Sequence, residues 1–252
     1  MPTAILKFER GLNALLAVRR SRKANLRLGM ILAFVAGAAN AGGFIAIGRY
    51  TSHMSGVSSS IADDAALGNL GLAALEAGML MAFVFGAATT AWLVNWAKRS
   101  GSKNPFVLPI LLEALLLLSF GLYAEFGLRG GQEGLLAPEL LLPFMMGLQN
   151  ALITKVALAE IRTTHVTGLV TDIGIEFGKL FYWNRDKGNA KAKVMANRQK
   201  IRTHASVFLA FLSGALAGAF GFKKIGYYAV LPLSACLFLI VAPHLKRRPV
   251  SR

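Results

Sequence analysis

The chain has 252 residues, 55% of them hydrophobic and 16% charged, with a mean hydropathy of +0.52. A soluble domain carries about a quarter charged residues, whereas uncharged apolar runs of about twenty residues recur here, which reads as a multi-pass, all-α membrane protein. That excludes a soluble enzyme, a β-barrel porin and a disordered regulator. The net charge of +16 lies between or outside the apolar runs, where it is first a topology signal.

Residues 1–27 form a basic tail. Ile5, Phe8, Leu12, Leu15 and Leu16 recur at helical spacing among Lys7, Arg10, Arg19, Arg20, Arg22, Lys23 and Arg27. The pattern suits a helix lying on anionic lipid headgroups, and a basic organelle transit peptide shares the same composition. No cleavable signal peptide is evident. Six apolar runs follow, near 28–48, 72–97, 105–126, 138–158, 204–221 and 225–243. Each has about the 20 residues needed to cross a ~30 Å hydrocarbon core. Trp92, Trp96, Tyr123, Tyr227 and Tyr228 fall near their ends, as interfacial rings do. Cys236, the lone cysteine, lies inside the last run, so neither an intrachain disulfide nor a cysteine metal site is available.

Two further segments, 56–68 and 168–182, have helical pattern but are too short to span at ~1.5 Å per residue. They carry Asp63, Asp64, Asp172 and Glu176 and read as half-helices or interfacial helices. Basic residues concentrate in the amino tail, the loop with Lys98, Arg99 and Lys103, the stretch from Lys155 to Arg202, and the tail with Lys246, Arg247, Arg248 and Arg252. Six spans with both termini in the cytoplasm fit that distribution at every loop.

An internal repeat organises the chain. Gly37-Ala-Ala-Asn-Ala41 matches Gly147-Leu-Gln-Asn-Ala151, and Thr51-Ser-His-Met-Ser-Gly56 matches Thr163-Thr-His-Val-Thr-Gly168. Each motif is followed by a short helix and two spans. The units are a first three-helix repeat at 28–130, a second at 131–243 with a basic loop at about 183–203, and a basic tail at 244–252. Three spans per copy make the topology inverted, the arrangement of many secondary transporters. This would place the two motif histidines toward opposite membrane faces, where they could not readily share a metal. Spanning half-helices would instead make the repeat parallel.

The motif chemistry fits a broken helix. Ser55 and Thr167 suit the N-caps of the short helices, and Gly56 and Gly168 permit a turn or close approach. The exposed amides would attract a polar or anionic group, with Arg49 and Arg162 as nearby donors. The candidate site is therefore Asn40, Thr51, His53, Ser55 and Gly56 with Asn150, Thr163, His165, Thr167 and Gly168. A turn that these residues merely cap, with no ligand, is the alternative.

The stretches from Asn40 to Asp64 and from Gly147 to Gly174 resemble the YoaK-like family of bacterial multi-pass membrane proteins, also called domain of unknown function 1275. The resemblance covers about residues 28–243. It implies a bacterial inner-membrane location and no established substrate. The first motif copy of that family tends to carry Asp where this chain has Asn40, and Thr-Gly-Asn where it has Ser55-Gly56-Val57.

Among other polar residues, Glu113 sits inside the third run and is the candidate coupling carboxylate. Glu76 and Glu139 are expected at the hydrated outer interface. Gly214 and Gly218 suit close helix packing within the chain. The basic stretch Arg185 to Arg202 has little aromatic interleaving and favours anionic lipid over nucleic acid. No enzyme signature, cofactor motif or metal-ligand pattern occurs. The expected function is secondary transport of a small polar or anionic solute. A channel-like pore and a non-transporting scaffold or sensor are the alternatives, and oligomeric state, including a homo-oligomer, stays open.

Overall fold

A computed structural model describes residues 11–12, 15–16, 21–125, 137–156, 165–183 and 193–245. The rest of the basic amino tail, Arg162, Thr163, most of the basic loop and the carboxyl tail lie outside these residues. All regular structure among the described residues is helical: α1 Arg22–Ile47, α2 Met54–Ala66, α3 Leu70–Arg99, α4 Val107–Tyr123, α5 Ala137–Val156, α6 Val166–Leu180, α7 Arg198–Ile225 and α8 Val230–Leu245. All six apolar runs and both short segments are helices.

Among the described residues, three helical stretches are long and apolar enough to cross a membrane: Arg22–Ile45, Leu70–Arg99 and Arg198–Leu245. Val107–Tyr123 is apolar but shorter. These three stretches hold four of the six apolar runs. The last stretch is broken where Gly226 takes φ +61° and a 3₁₀ turn, Gly226–Ala229, leads into α8. The apolar surface faces outward as it does toward lipid. Met81, Val84, Phe85, Trp92 and Trp96 of α3, and Leu209, Leu212, Leu216 and Phe220 of α7, are all exposed.

Helix boundaries follow local chemistry. The Ser21 hydroxyl accepts from Ala24 N–H at 3.2 Å and starts α1, so the basic residues from Arg22 onward belong to its first turns. Leu15 and Leu16 of the amino tail are buried in the core. Asn197 caps α7 by accepting from the Gln199 and Lys200 amides at 3.1 and 3.0 Å.

The helices do not pack in chain order. The most extensive contacts pair α1 with α7, then α3 with α5, then α4 with α8; α2 lies along α3, and α6 along α7. Four Phe-x-x-Gly tetrads, at 34–37, 83–86, 144–147 and 211–214, set the first two pairings. A Cβ on Gly37 would collide with the Phe211 carbonyl, and one on Gly214 with the Phe34 carbonyl. In the same reciprocal way, Gly147 faces the Phe83 carbonyl and Gly86 the Phe144 carbonyl. Without side chains at these points the two backbones touch, and the packing gain of small-residue crossings in apolar surroundings follows. Gly218 continues the first crossing against Ala38, so the Gly214/Gly218 pair packs within the chain. In the second crossing the Thr90 hydroxyl donates to the Leu148 carbonyl at 2.8 Å.

Two bundles result, one of α1, α7 and α6, the other of α3, α5 and α2. Each contains helices from both sequence repeats. Between the two bundles α1 meets α5 over a smaller surface, where buried Gln149 donates through Nε2 to the Leu32 carbonyl at 2.7 Å. Replacing Gly37 or Gly147 with leucine is expected to lower stability by about 1–3 kcal/mol or more, through forced separation of the backbones. Gly174→Ala, a position with open space around it, should change it by less than about 0.5 kcal/mol. Thermal unfolding midpoints of the purified variants check both.

Candidate functional site

The loop between α1 and α2 is held by side chains of α1 and α3. Asn40 Oδ1 accepts from the Thr51 amide (3.1 Å), the Ser52 amide (3.2 Å) and the Ser52 hydroxyl (3.0 Å). Arg49 pairs with Glu76 of α3, and Tyr50 stacks on Phe44 with ring centroids 4.7 Å apart. Glu76 is only 2% exposed, so it is not at a hydrated interface as its position suggested. A buried carboxylate requires a partner, and Arg49 provides it. Glu139 is partly buried.

The short helices begin two residues earlier than the hydroxyl pattern indicated. His53 and His165, not Ser55 and Thr167, occupy the N-cap positions, and neither histidine side chain caps an amide. Each ring instead lies over the first turn of its helix. A Cβ on Gly56 would fall 2.7 Å from His53 Nδ1, and one on Gly168 would crowd His165 Nδ1. The glycine of the His-x-x-Gly motif thus makes room for the imidazole.

These elements meet around one cavity of about 760 Å³. Asn40, His53, Ser55, Asn150, His165 and Thr167 of the expected site all line it, together with Tyr50, Ser52, Met54, Thr154 and Val166. The two histidines therefore line a single space. Thr51 is fully buried behind the loop, Gly56 and Gly168 sit beneath the histidine rings, and none of these three lines the cavity. Thr163 lies outside the described residues.

Four lining residues were not singled out from sequence: Tyr50, Thr154, Phe83 of α3 and Phe211 of α7. The signal that could have found the two phenylalanines is the Phe-x-x-Gly tetrad, which also occurs at 8–11 and whose other four copies put an aromatic residue at the close crossings. Glu113 is fully buried in α4, outside the cavity lining, and neither carboxyl oxygen has a hydrogen-bond partner among the described residues. No group of three or more potential metal ligands occurs among the described residues.

The far ends of the short helices are anchored. In α6, Asp172 pairs with Lys200 of α7 at 2.9 Å and faces His204 at 3.6 Å. Buried Glu176 accepts from Lys179 Nζ at 2.8 Å and from the Asn197 amide at 2.6 Å. In the first repeat Asn69 Nδ2 donates to Asp64 at 3.1 Å. The half-helices are tied at their C-terminal ends, while their amino ends open on the cavity.

The fold and cavity define a helical membrane protein with a ligand-sized internal site. The chain belongs to a family described as protein of unknown function (DUF1275), which matches residues 28–242. No curated protein and no solved structure gives a significant match to the chain.

Two outcomes are expected. Asn40→Ala should destabilise the fold by about 1–3 kcal/mol by orphaning the loop donors. Asn40→Asp, which keeps the acceptor oxygen, should retain most of that stability; unfolding midpoints compare them. The hydrogen bond from Lys179, then that from the Asn197 amide, holds the Glu176 carboxyl below its usual range. Its contribution is present above the unfolded value of about 4.3 and is lost as pH falls through the lower folded value. Glu176→Gln should remove that acid-side loss from stability measured between about pH 6 and about pH 3.

Proposed function

We propose that the protein is a secondary carrier, not an enzyme, which moves a small polar or anionic solute across a bacterial inner membrane by alternating access. In this reading the six apolar helices all span. The two repeats insert with opposite orientation, both termini face the cytoplasm, and the basic segments rest on anionic lipid headgroups. The observation that carries the reading is the cavity. Corresponding residues of both motif copies line it in pairs: Asn40 with Asn150, His53 with His165, and Ser55 with Thr167. Inverted repeats bind solute where the copies meet, beside broken helices.

The two interlaced bundles supply the moving parts. Within each bundle the glycine crossings forbid sliding, while the α1–α5 seam has the smaller contact and the Gln149 bond to Leu32. The cavity draws Asn40, Phe211 and the start of α6 from one bundle and Phe83, Asn150 and the start of α2 from the other. Rocking at the seam would open it to one face and then to the other. Glu113, outside the cavity, would couple by biasing the bundles rather than by touching solute.

Single cysteines at Ser55 and Thr167 in a Cys236→Ser background test the mechanism without any known solute. Each is expected to react with a membrane-impermeant maleimide from both faces of oriented vesicles. Crosslinking α1 to α5 should abolish one of the two routes. Labelling from one face only, or from neither, overturns alternating access. Glu113→Gln, which mimics the protonated carboxyl, is expected to shift the ratio of labelling between the faces; an unchanged ratio removes Glu113 from the mechanism.

A further inference from the structure

Phe83 and Phe211 occupy matching places in the two bundles. Each is the first residue of a Phe-x-x-Gly tetrad, and each main-chain carbonyl lies against a glycine of the crossing helix, Gly147 for Phe83 and Gly37 for Phe211. The backbone that carries each ring is therefore fixed by contact. One helical turn beyond each of those glycines stands Asn150 or Asn40, and both asparagines also line the cavity. Each crossing thus shows the cavity one phenyl ring and one carboxamide. Asn40 Oδ1 is committed to the loop, which leaves its amide nitrogen as the group to meet a ligand.

Both phenyl rings are partly buried against the core, and the rest of each faces the cavity, where Tyr50, Met54 and Val166 add apolar surface beside the Asn, His, Ser and Thr groups. The part of each ring left open to the cavity gains nothing further until apolar surface of a ligand covers it. Resting on the carrier reading, we propose that Phe83 and Phe211 are the specificity-determining residues of the cavity. They hold the apolar body of a small solute whose planar polar head, a carboxylate or carboxamide, hydrogen-bonds to Asn40, Asn150 and the motif residues. A solute of this kind contacts both bundles through the same pair of groups, so it can be handed from one to the other without losing its grip.

The test uses the full chain in detergent with four probes. Benzoate and benzamide carry the ring; acetate and acetamide carry the same heads without it. The readouts are the unfolding midpoint and the maleimide labelling rate of a cysteine at Thr167 in the Cys236→Ser background. Benzoate or benzamide is expected to raise the midpoint and slow the labelling at concentrations at least about tenfold below acetate or acetamide. Which of the two acts identifies the head as charged or neutral. Phe83→Ala with Phe211→Ala should erase the tenfold preference. Should that pair not fold, Phe83→Leu with Phe211→Leu keeps apolar volume and should reduce the preference without abolishing it. Equal action of ringed and ringless probes, stabilisation by phosphate or sulfate instead, or no response to any probe overturns the proposal. Two-sided labelling of the cysteines without solute would still stand in that case, so failure here is distinct from failure of alternating access.

Discussion

Close approach of backbones at four glycines governs this structure. Inside apolar surroundings there is no hydrophobic drive to bring one helix against another, so association depends on packing and on small residues that let main chains touch. Gly37, Gly86, Gly147 and Gly214 provide those points, and in each case the opposing group is the carbonyl of a phenylalanine. The pairings they select, α1 with α7 and α3 with α5, decide which side chains share a space. Asn40 and Phe211 come to one side of the cavity, and Asn150 and Phe83 to the other, only because these four contacts exist.

The half-helices depend on the same frame. α2 and α6 lie against α3 and α7, so each is carried by one member of a glycine crossing. Ion pairs and hydrogen bonds hold the half-helices beyond their first turns, Asp172 with Lys200 and Glu176 with Lys179 and Asn197 in α6 and Asp64 with Asn69 in α2, while their amino ends present histidine to the cavity. The loop that delivers His53 is fastened by Asn40 and by the Arg49–Glu76 pair. An aspartate in place of Asn40 would offer the same acceptor oxygen, which accounts physically for how either residue could serve there.

Much of this was legible in the sequence, because the periodic apolar runs and the repeated His-x-Ser/Thr-Gly motifs are local signals. Helix positions follow from them, and the repeat as a whole marks six of the lining residues: Asn40, His53, Ser55, Asn150, His165 and Thr167. The N-caps were misread because serine and threonine are the usual capping residues, whereas here the histidine ring occupies the space above the first turn and needs only glycine beneath it. Glu76 looked hydrated from its place near the start of a run; its buried pairing with Arg49 arises from a loop contact that spacing does not encode. Helix partners were hidden for a related reason. A Phe-x-x-Gly tetrad marks a close contact but does not name its mate, and the mates here come from the other half of the chain.

That exchange of partners between halves bears on what half of the chain could build alone. A chain holding only the first repeat would contain α1 without α7 and α3 without α5, so it could build neither bundle and would enclose no cavity. Two such chains side by side could build both, each lending one long helix and one half-helix to its neighbour. This packing therefore asks for both halves in one chain, or for two half-length chains held as a pair. The longer connection between α6 and α7, against the tight turn between α2 and α3, is a difference that two identical half-length chains could not hold.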